Sequence, residues 1–185
     1  VIGRLLMSSP KKEQGFTLIE MIIVFMLVGI FAAIAGTMIT QAIKTSEEVG
    51  KAWSVLDKLR YTSERLVREL REVRRDPADP TTFDITTWSS SVFSFGRYDG
   101  TDVTISYSDV DDKLEITYPS VTATAQLLSN QVSAFTLSYL QADHSSAATS
   151  TTDIAYVVVE MTLLDDATPY QDQFTVNLRN RMGWY

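Results

Sequence analysis

Gly15-Phe16-Thr17-Leu18-Ile19-Glu20, together with the uncharged residues 21–43 that follow, decides the architecture of the chain. At 1.5 Å per residue, the uncharged run predicts a helix of about 34 Å, and this is enough to cross a hydrocarbon core of about 30 Å. Glu20 stands at the mouth of the run, where a carboxylate without a partner is costly. The sequence therefore predicts one transmembrane helix and a partner for Glu20.

Residues 1–15 differ from an ordinary secretory signal. They are too polar after Ser8 to form its apolar core, which is normally lost with the cleaved segment. A cut after Gly15 would instead leave the apolar run on the mature chain. Translation from Met7 would give a shorter leader, and both starts stay open.

The hexapeptide closely resembles the type III signal of type IV pilins and of the pseudopilins of type II secretion. The resemblance implies that a prepilin peptidase cuts after Gly15, so that 1–15 is the leader, and methylates the new amino terminus on Phe16. It also implies that Glu20, the fifth residue after the cut, pairs with the amine of a neighbouring subunit. The alternative is that Glu20 merely reaches toward the headgroups, which would not account for the whole hexapeptide.

Basic residues lie on both sides of the span, so the positive-inside rule does not orient it. The pilin resemblance implies a single pass through the cytoplasmic (inner) membrane, with the C-terminal region outside, and later entry into a filament. The implied partners are prepilin peptidase, other pilins or pseudopilins, the inner-membrane assembly platform and membrane lipid.

Two glycines, Gly29 and Gly36, interrupt the apolar run, and each lowers helix propensity by about 1 kcal/mol relative to alanine. Gly29 with Ala33, and Ala32 with Gly36, have the small-xxx-small spacing that lets helices approach closely in lipid. Helix packing and an ordinary membrane-helix glycine are both consistent with this spacing.

The predicted transmembrane and assembly half of the helix covers residues 16–43, and the helical pattern continues past the membrane as an amphipathic half, over residues 44–75. Apolar residues recur there at spacings of three, four or seven, at Val49, Trp53, Leu56, Leu59, Leu66, Leu70 and Val73. Opposite charges four apart indicate a solvent face, in the pairs Glu64–Arg68, Arg65–Glu69 and Arg68–Glu72. Two Asp-Pro pairs, beginning at Asp76 and Asp79, end the pattern. We therefore expect one helix from Phe16 to about Arg75.

The second half of this helix also carries an arginine cluster, at Arg65, Arg68, Arg71, Arg74 and Arg75. Interleaved glutamates favour a solvated face, and contact with an acidic neighbouring subunit is the sharper alternative. Nucleic-acid binding is not expected, because the region from Asp76 onward is strongly acidic and would repel phosphate. A local patch at Arg179 and Arg181 is the one exception that stays open.

From residue 76 to 185 the pattern is that of a β-rich extracytoplasmic domain. Strands are predicted at 91–95, 102–107, 114–118, 123–128, 132–141, 154–163 and 173–178, with a turn at 109–113 and a mobile loop at 144–152. The predicted fold class is α+β, with the long helix packed by its second half on antiparallel sheets.

The C-terminal region resembles the PilW/PulJ group of minor pilins and J-type pseudopilins. The residues that carry this resemblance are Phe93, Phe95, Tyr107-Ser108, Leu114, Leu127-Leu128, Phe135, Tyr139 and Leu178-Arg179-Asn180. It implies a minor subunit in a tip complex that primes filament assembly, with a minor pseudopilin of type II secretion as the alternative.

Residues that could carry out chemistry are sparse, and an enzyme is not expected. There is no cysteine, the single histidine, His144, lies in the predicted loop, and no G-x-S-x-G occurs. Asp109, Asp111 and Asp112 offer carboxylates to calcium, but they lack the glycine and distal glutamate of an EF-hand loop, so a hairpin turn is favoured and no cofactor is expected. An uncleaved, membrane-anchored receptor or enzyme is the remoter functional alternative.

Overall fold

A computed structural model of the chain describes residues 15–178. In this range one long helix, α1 (Leu18–Leu70), precedes eight strands and a short 3-10 helix (Thr151–Asp153). The strands are β1 (Ile85–Trp88), β2 (Val92–Gly96), β3 (Asp102–Ser108), β4 (Lys113–Tyr118), β5 (Thr122–Asn130), β6 (Val132–Leu140), β7 (Tyr156–Asp165) and β8 (Thr168–Asn177). The predicted α+β class is confirmed, and so are the seven predicted strands, with shifted ends.

The chain divides into two compact units between Glu48 and Val49. In the first unit, the structure describes only residues 15–48, and α1 is exposed along this whole length. The second unit contains the rest of α1 and both sheets. Its helical part, from Val49 to Leu70, packs on the strands through one face.

All strand pairs are antiparallel, and they form two sheets with the orders β1-β2-β3-β4-β5 and β6-β7-β8. The β3–β4 connection is the predicted turn, and Asp112 (φ 52°) takes the left-handed conformation that Asp tolerates in turns. Tyrosines join the sheets. The hydroxyl of Tyr107 donates to the Val132 carbonyl at 3.0 Å, and that of Tyr139 donates to the Ser89 carbonyl at 2.8 Å.

The core lies where the helix meets the two sheets. The helix contributes buried Val55, Leu59, Leu66 and Leu70. The alternating residues of the strands complete the core, chiefly Phe93, Phe95, Val103, Ile105, Leu114, Ile116, Leu137, Val157, Val159, Met161 and Leu163. Each such side chain gains about 1.5–3 kcal/mol from burial, so this contact fixes the second half of α1 on the domain.

The helix ends earlier than predicted. It stops at Leu70, and the residues that follow take part in β-bridges, Val73 with Arg97 and Arg75 with Phe83. The apolar spacing that included Val73 was therefore only partly helical. Strand β1 was missed, because its central Thr86 and Thr87 are both exposed and give no alternating pattern.

The predicted apolar face is also only partly buried. Trp53 is 64% exposed, and Val49 and Leu56 are exposed as well, while Thr62 and Ser63 are buried in the contact instead. The two hydroxyls donate to the carbonyls four residues back, at 2.8 and 2.9 Å, which removes the cost of burying them. The helical period identified residues that share a side of the helix, but the domain covers only part of that side.

Candidate assembly site

Thr17 starts helix α1. The backbone N–H of Glu20 donates to the Thr17 side-chain oxygen at 3.3 Å, and that of Met21 donates to the Thr17 carbonyl at 3.2 Å. Thr17 and Glu20 have the spacing of a capping box, in which an N-cap threonine is followed by Glu or Gln at the third helical position. Sequence analysis missed this role of Thr17, although the Thr-x-x-Glu spacing was a readable signal.

Glu20 lies in the first turn of α1 and is exposed. Within residues 15–178 it takes part in no ion pair. An acid in the first turn is stabilised by the helix dipole by about 0.3–1 kcal/mol, so Glu20 has a local role that needs no second subunit. The predicted pairing with an amine of another subunit needs a partner chain and stays a prediction, as do cleavage after Gly15 and methylation of Phe16.

The apolar part of α1 offers a long, uncovered surface. An 18-residue window of the helix has a mean hydropathy of 2.7, and none of it is buried in the protein. By length and composition this is the one described helix that could cross a membrane. Side chains such as Phe25, Ile30 and Phe31 are more than half exposed along it.

Gly29 and Gly36 are not required by packing within the chain. A Cβ placed on either glycine would meet no atom within 4 Å. Any close approach at these glycines would therefore involve another helix, and the packing role stays a prediction.

A buried charge cluster fixes the end of α1 to the five-stranded sheet. The side chain of Glu69 is 3% exposed; its Oε1 accepts from Arg65 at 2.9 Å and from the Tyr118 hydroxyl at 3.0 Å. Its Oε2 lies 3.7 Å from Arg97. Burial raises the pKa of the Tyr118 phenol, and the nearby guanidinium of Arg65 partly opposes this. The prediction that Glu69 lies on the solvent face of the helix is therefore wrong.

The arginine cluster is divided between two environments. Arg65 belongs to the Glu69 cluster, Arg74 pairs with Asp84 at 2.7 Å, and Arg75 stacks on the Phe83 ring at 3.9 Å. Arg68 and Arg71 are exposed, and neither has an ion pair within residues 15–178. The predicted Glu64–Arg68 and Arg68–Glu72 pairs do not form. Glu64 pairs instead with Arg60 at 2.8 Å, and Glu72 lies beyond the end of α1.

The candidate chemical residues lie apart from one another. His144 is exposed in the 141–150 connection, with its ring 3.8 Å from that of Tyr156. Asp109, Asp111 and Asp112 occupy the β3–β4 turn, and no group of three His, Asp or Glu residues in the described chain is arranged to hold a metal. Residues 1–14 of the leader, as well as Arg179, Asn180 and Arg181, lie outside the described residues.

One comparison with known families gives a result. The prokaryotic N-terminal methylation motif matches residues 10–36, which include the Gly15–Phe16 bond, Thr17, Glu20 and the first part of the apolar run. No curated protein and no solved structure gives a significant match. The motif supports a type IV pilin-like protein, and it implies processing by prepilin peptidase, assembly with other pilins and anchoring in the inner membrane.

Proposed function

We propose that the chain is a structural subunit of a type IV pilus-like filament, matured by cleavage after Gly15 and methylation of Phe16. The observation that carries the proposal is the match of the methylation motif to residues 10–36. It coincides with an exposed apolar helix that has a single acid, Glu20, in its first turn. This arrangement leaves a surface that must be covered by lipid before assembly and by other helices afterwards.

The physical step is neutralisation of charge at the helix start. Cleavage would place a positive amine on Phe16, directly before the Thr17 cap and therefore at the positive end of the helix dipole. In lipid, both this amine and Glu20 are costly alone, and pairing between subunits offsets part of the desolvation cost of each. A subunit that enters the filament out of register would leave both charges unpaired.

More specifically, we propose that the chain is a minor pilin in a priming complex at the filament tip. The support is the scattered C-terminal resemblance to the J-type group, including Phe93 and Phe95, which are both buried in the core. A minor pseudopilin of type II secretion is the alternative, because it shares the same signal. The C-terminal domain is placed outside the cytoplasm, with the inner-membrane assembly platform as a partner, and the proposal requires no cofactor and no catalytic role.

Three variants separate the possible roles of Glu20. Glutamine also fits the third position of a capping box, so Glu20→Gln keeps the cap and removes only the charge. We expect Glu20→Gln and Glu20→Ala to insert into the membrane and to be processed, but to be lost from the filament fraction. Glu47→Ala, which removes an exposed acid outside the apolar run, is the matched control and should assemble normally.

Intact mass of the native protein tests the processing step. The expected mass is that of a chain beginning at Phe16 with one added methyl group, and Gly15→Leu should leave the leader attached. A native envelope protein that still carries residues before Phe16, or normal assembly of Glu20→Gln, would contradict the proposal.

A further inference from the structure

The bond that the proposed processing reaction cuts lies just outside helix α1. Residues 15–17 are exposed and non-helical, and α1 begins at Leu18. The Phe16 side chain is 75% exposed, and a Cβ placed on Gly15 would meet no atom within 4 Å. Among residues 15–178, none therefore covers the Gly15–Phe16 bond.

The side chain of Thr17 determines which group accepts the backbone N–H of Glu20. If α1 began one residue earlier, this N–H would donate to the carbonyl four residues back, which is that of Phe16. In the structure it donates instead to the Thr17 side-chain oxygen at 3.3 Å, while the N–H of Met21 donates to the Thr17 carbonyl at 3.2 Å. The Phe16 carbonyl is thereby kept out of the hydrogen bonds of the helix.

A helix that grew toward the cleavage point would oppose hydrolysis. In that reaction water adds to the Gly15 carbonyl carbon and the C–N bond breaks, so that the leader keeps the new carboxylate and Phe16 keeps the amine. A peptidase has to bind the backbone on both sides of this bond, and backbone groups that are held in intrahelical bonds are not available to it. Gly15 also disfavours helix, but it leaves the N–H of Glu20 free to bond Phe16, and the Thr17 oxygen is the group that competes for that N–H.

We propose that Thr17 is a positioning residue for processing, because its side-chain oxygen ends the helix before Phe16 and so presents the Gly15–Phe16 bond to the peptidase. The inference rests on the proposed function, and the methylation motif at residues 10–36 is an independent indication that an enzyme processes this segment. Thr17 acts through the backbone of its own chain and need not touch the enzyme. Its partner is the backbone N–H of Glu20, so the contact persists when the Glu20 side chain is replaced.

Four substitutions of Thr17 separate capping of the helix from direct recognition by the enzyme. Serine and asparagine cap helices at least as well as threonine, valine keeps the shape of threonine without its oxygen, and alanine loses both. Full-length precursor, purified in detergent from a host without the peptidase, is mixed with membranes that contain it, and cleavage is followed by mass. Thr17→Ser and Thr17→Asn should be cut at least as fast as the wild type, and Thr17→Val and Thr17→Ala about fivefold more slowly.

The matched control removes the same hydroxyl at a distance from the cleavage point. The Thr40 hydroxyl donates to the Gly36 carbonyl at 2.9 Å, so Thr40→Val also loses one side-chain bond to the helix backbone, and it should be cut at the wild-type rate. A second measurement follows the start of the helix in uncut precursor. The α-carbon chemical shift at position 17 should become helical in Thr17→Val and stay non-helical in Thr17→Asn.

The pattern of rates decides between the possible roles of Thr17. Fast cleavage of Thr17→Ser with slow cleavage of Thr17→Asn would show that the enzyme recognises the hydroxyl itself, and fast cleavage of Thr17→Val would show that no cap is needed. Either result overturns the inference, as do equal rates for all four variants, and the proposed function stands in each case if the wild type is cut between Gly15 and Phe16. A wild-type chain that is not cut at this bond overturns the proposed function, and the inference with it.

Discussion

Replacing Glu69 by glutamine should destabilise the β-rich unit far more than the same change at Glu64. Both acids lie on α1, and each follows an arginine by four residues. They differ in burial, because the Glu69 side chain is 3% exposed and that of Glu64 is 65% exposed. Comparing Glu69→Gln with Glu64→Gln therefore separates the effect of burial on stability from the effect of sequence spacing.

The expected loss of stability in Glu69→Gln follows from the groups that would lose their charged partner. Without the carboxylate, Arg65 and Arg97 would face a neutral amide, and the Tyr118 hydroxyl would lose a charged acceptor. Breaking a buried ion pair by removing one partner costs about 3–5 kcal/mol. Because the two arginines are about one quarter exposed, water recovers part of this, and we expect a loss of about 2–4 kcal/mol. Glu64→Gln should cost about 0.5 kcal/mol or less.

The assay is urea unfolding of the full chain in mild detergent, followed by near-ultraviolet circular dichroism. Trp88 packs edge-on against Tyr139, with ring centroids 5.4 Å apart, so this signal reports on the β domain. The thermal midpoint of Glu69→Gln should also fall by about 6–12 °C, at about 3 °C per kcal/mol. If the two variants had equal midpoints, the buried carboxylate would contribute no more than a surface charge, and the reasoning would be refuted.

Three further predictions follow from the packing. Leu66→Ala should lower the free energy of unfolding by about 2–5 kcal/mol, because Leu66 is 1% exposed. Leu56→Ala, at a side chain that is 41% exposed, should lower it by less than about 1 kcal/mol. The denaturant midpoints of the two variants measure both effects. Burial raises the pKa of Tyr118 and Tyr139, so their contribution to stability is complete below the ordinary tyrosine pKa of about 10 and is lost as the pH rises through the higher folded-state pKa. The exposed tyrosines ionise first, so the last part of the phenolate absorbance should appear together with loss of the near-ultraviolet signal, and complete ionisation of the eight tyrosines without that loss would contradict this. Gly36→Leu should not lower the unfolding midpoint, since a Cβ at this glycine meets no atom within 4 Å. It should, however, reduce recovery in filaments if the glycine packs against a neighbouring helix. Gly50→Leu, at a second open glycine of α1 outside the small-residue spacing, is its control.

The sequence predicted those parts of the fold in which a local pattern has one physical meaning. An uncharged run of this length can form a membrane-crossing helix, and alternation such as Leu114, Ile116 and Tyr118 places one side of a strand in the core. The Thr17 cap could also have been predicted, because its partner is only three residues away. The fold class and most strands therefore follow from local patterns in the sequence.

Which side chains of the helix are buried depends on residues that are distant in sequence. Helical spacing placed Trp53 with Leu59 and Leu66, but the sheets reach only the later two. The pair Arg65–Glu69 has the spacing of an ordinary surface pair. It is buried because Tyr118 of β4 and Arg97, directly after β2, approach it from further along the chain. No local pattern contains that information.

The two halves of α1 therefore bury their apolar surface in different ways. The half that follows Val49 is partly covered within its own chain, by the core and by the Glu69 cluster. The half that ends at Glu48 is exposed throughout its described length, and each apolar side chain left in water would forgo about 1.5–3 kcal/mol. Lipid or other helices would provide that burial, and in either surrounding an unpaired charge on Glu20 would be costly. Trp53 and Leu56, in the second unit, are exposed as well, so their burial would also require another molecule.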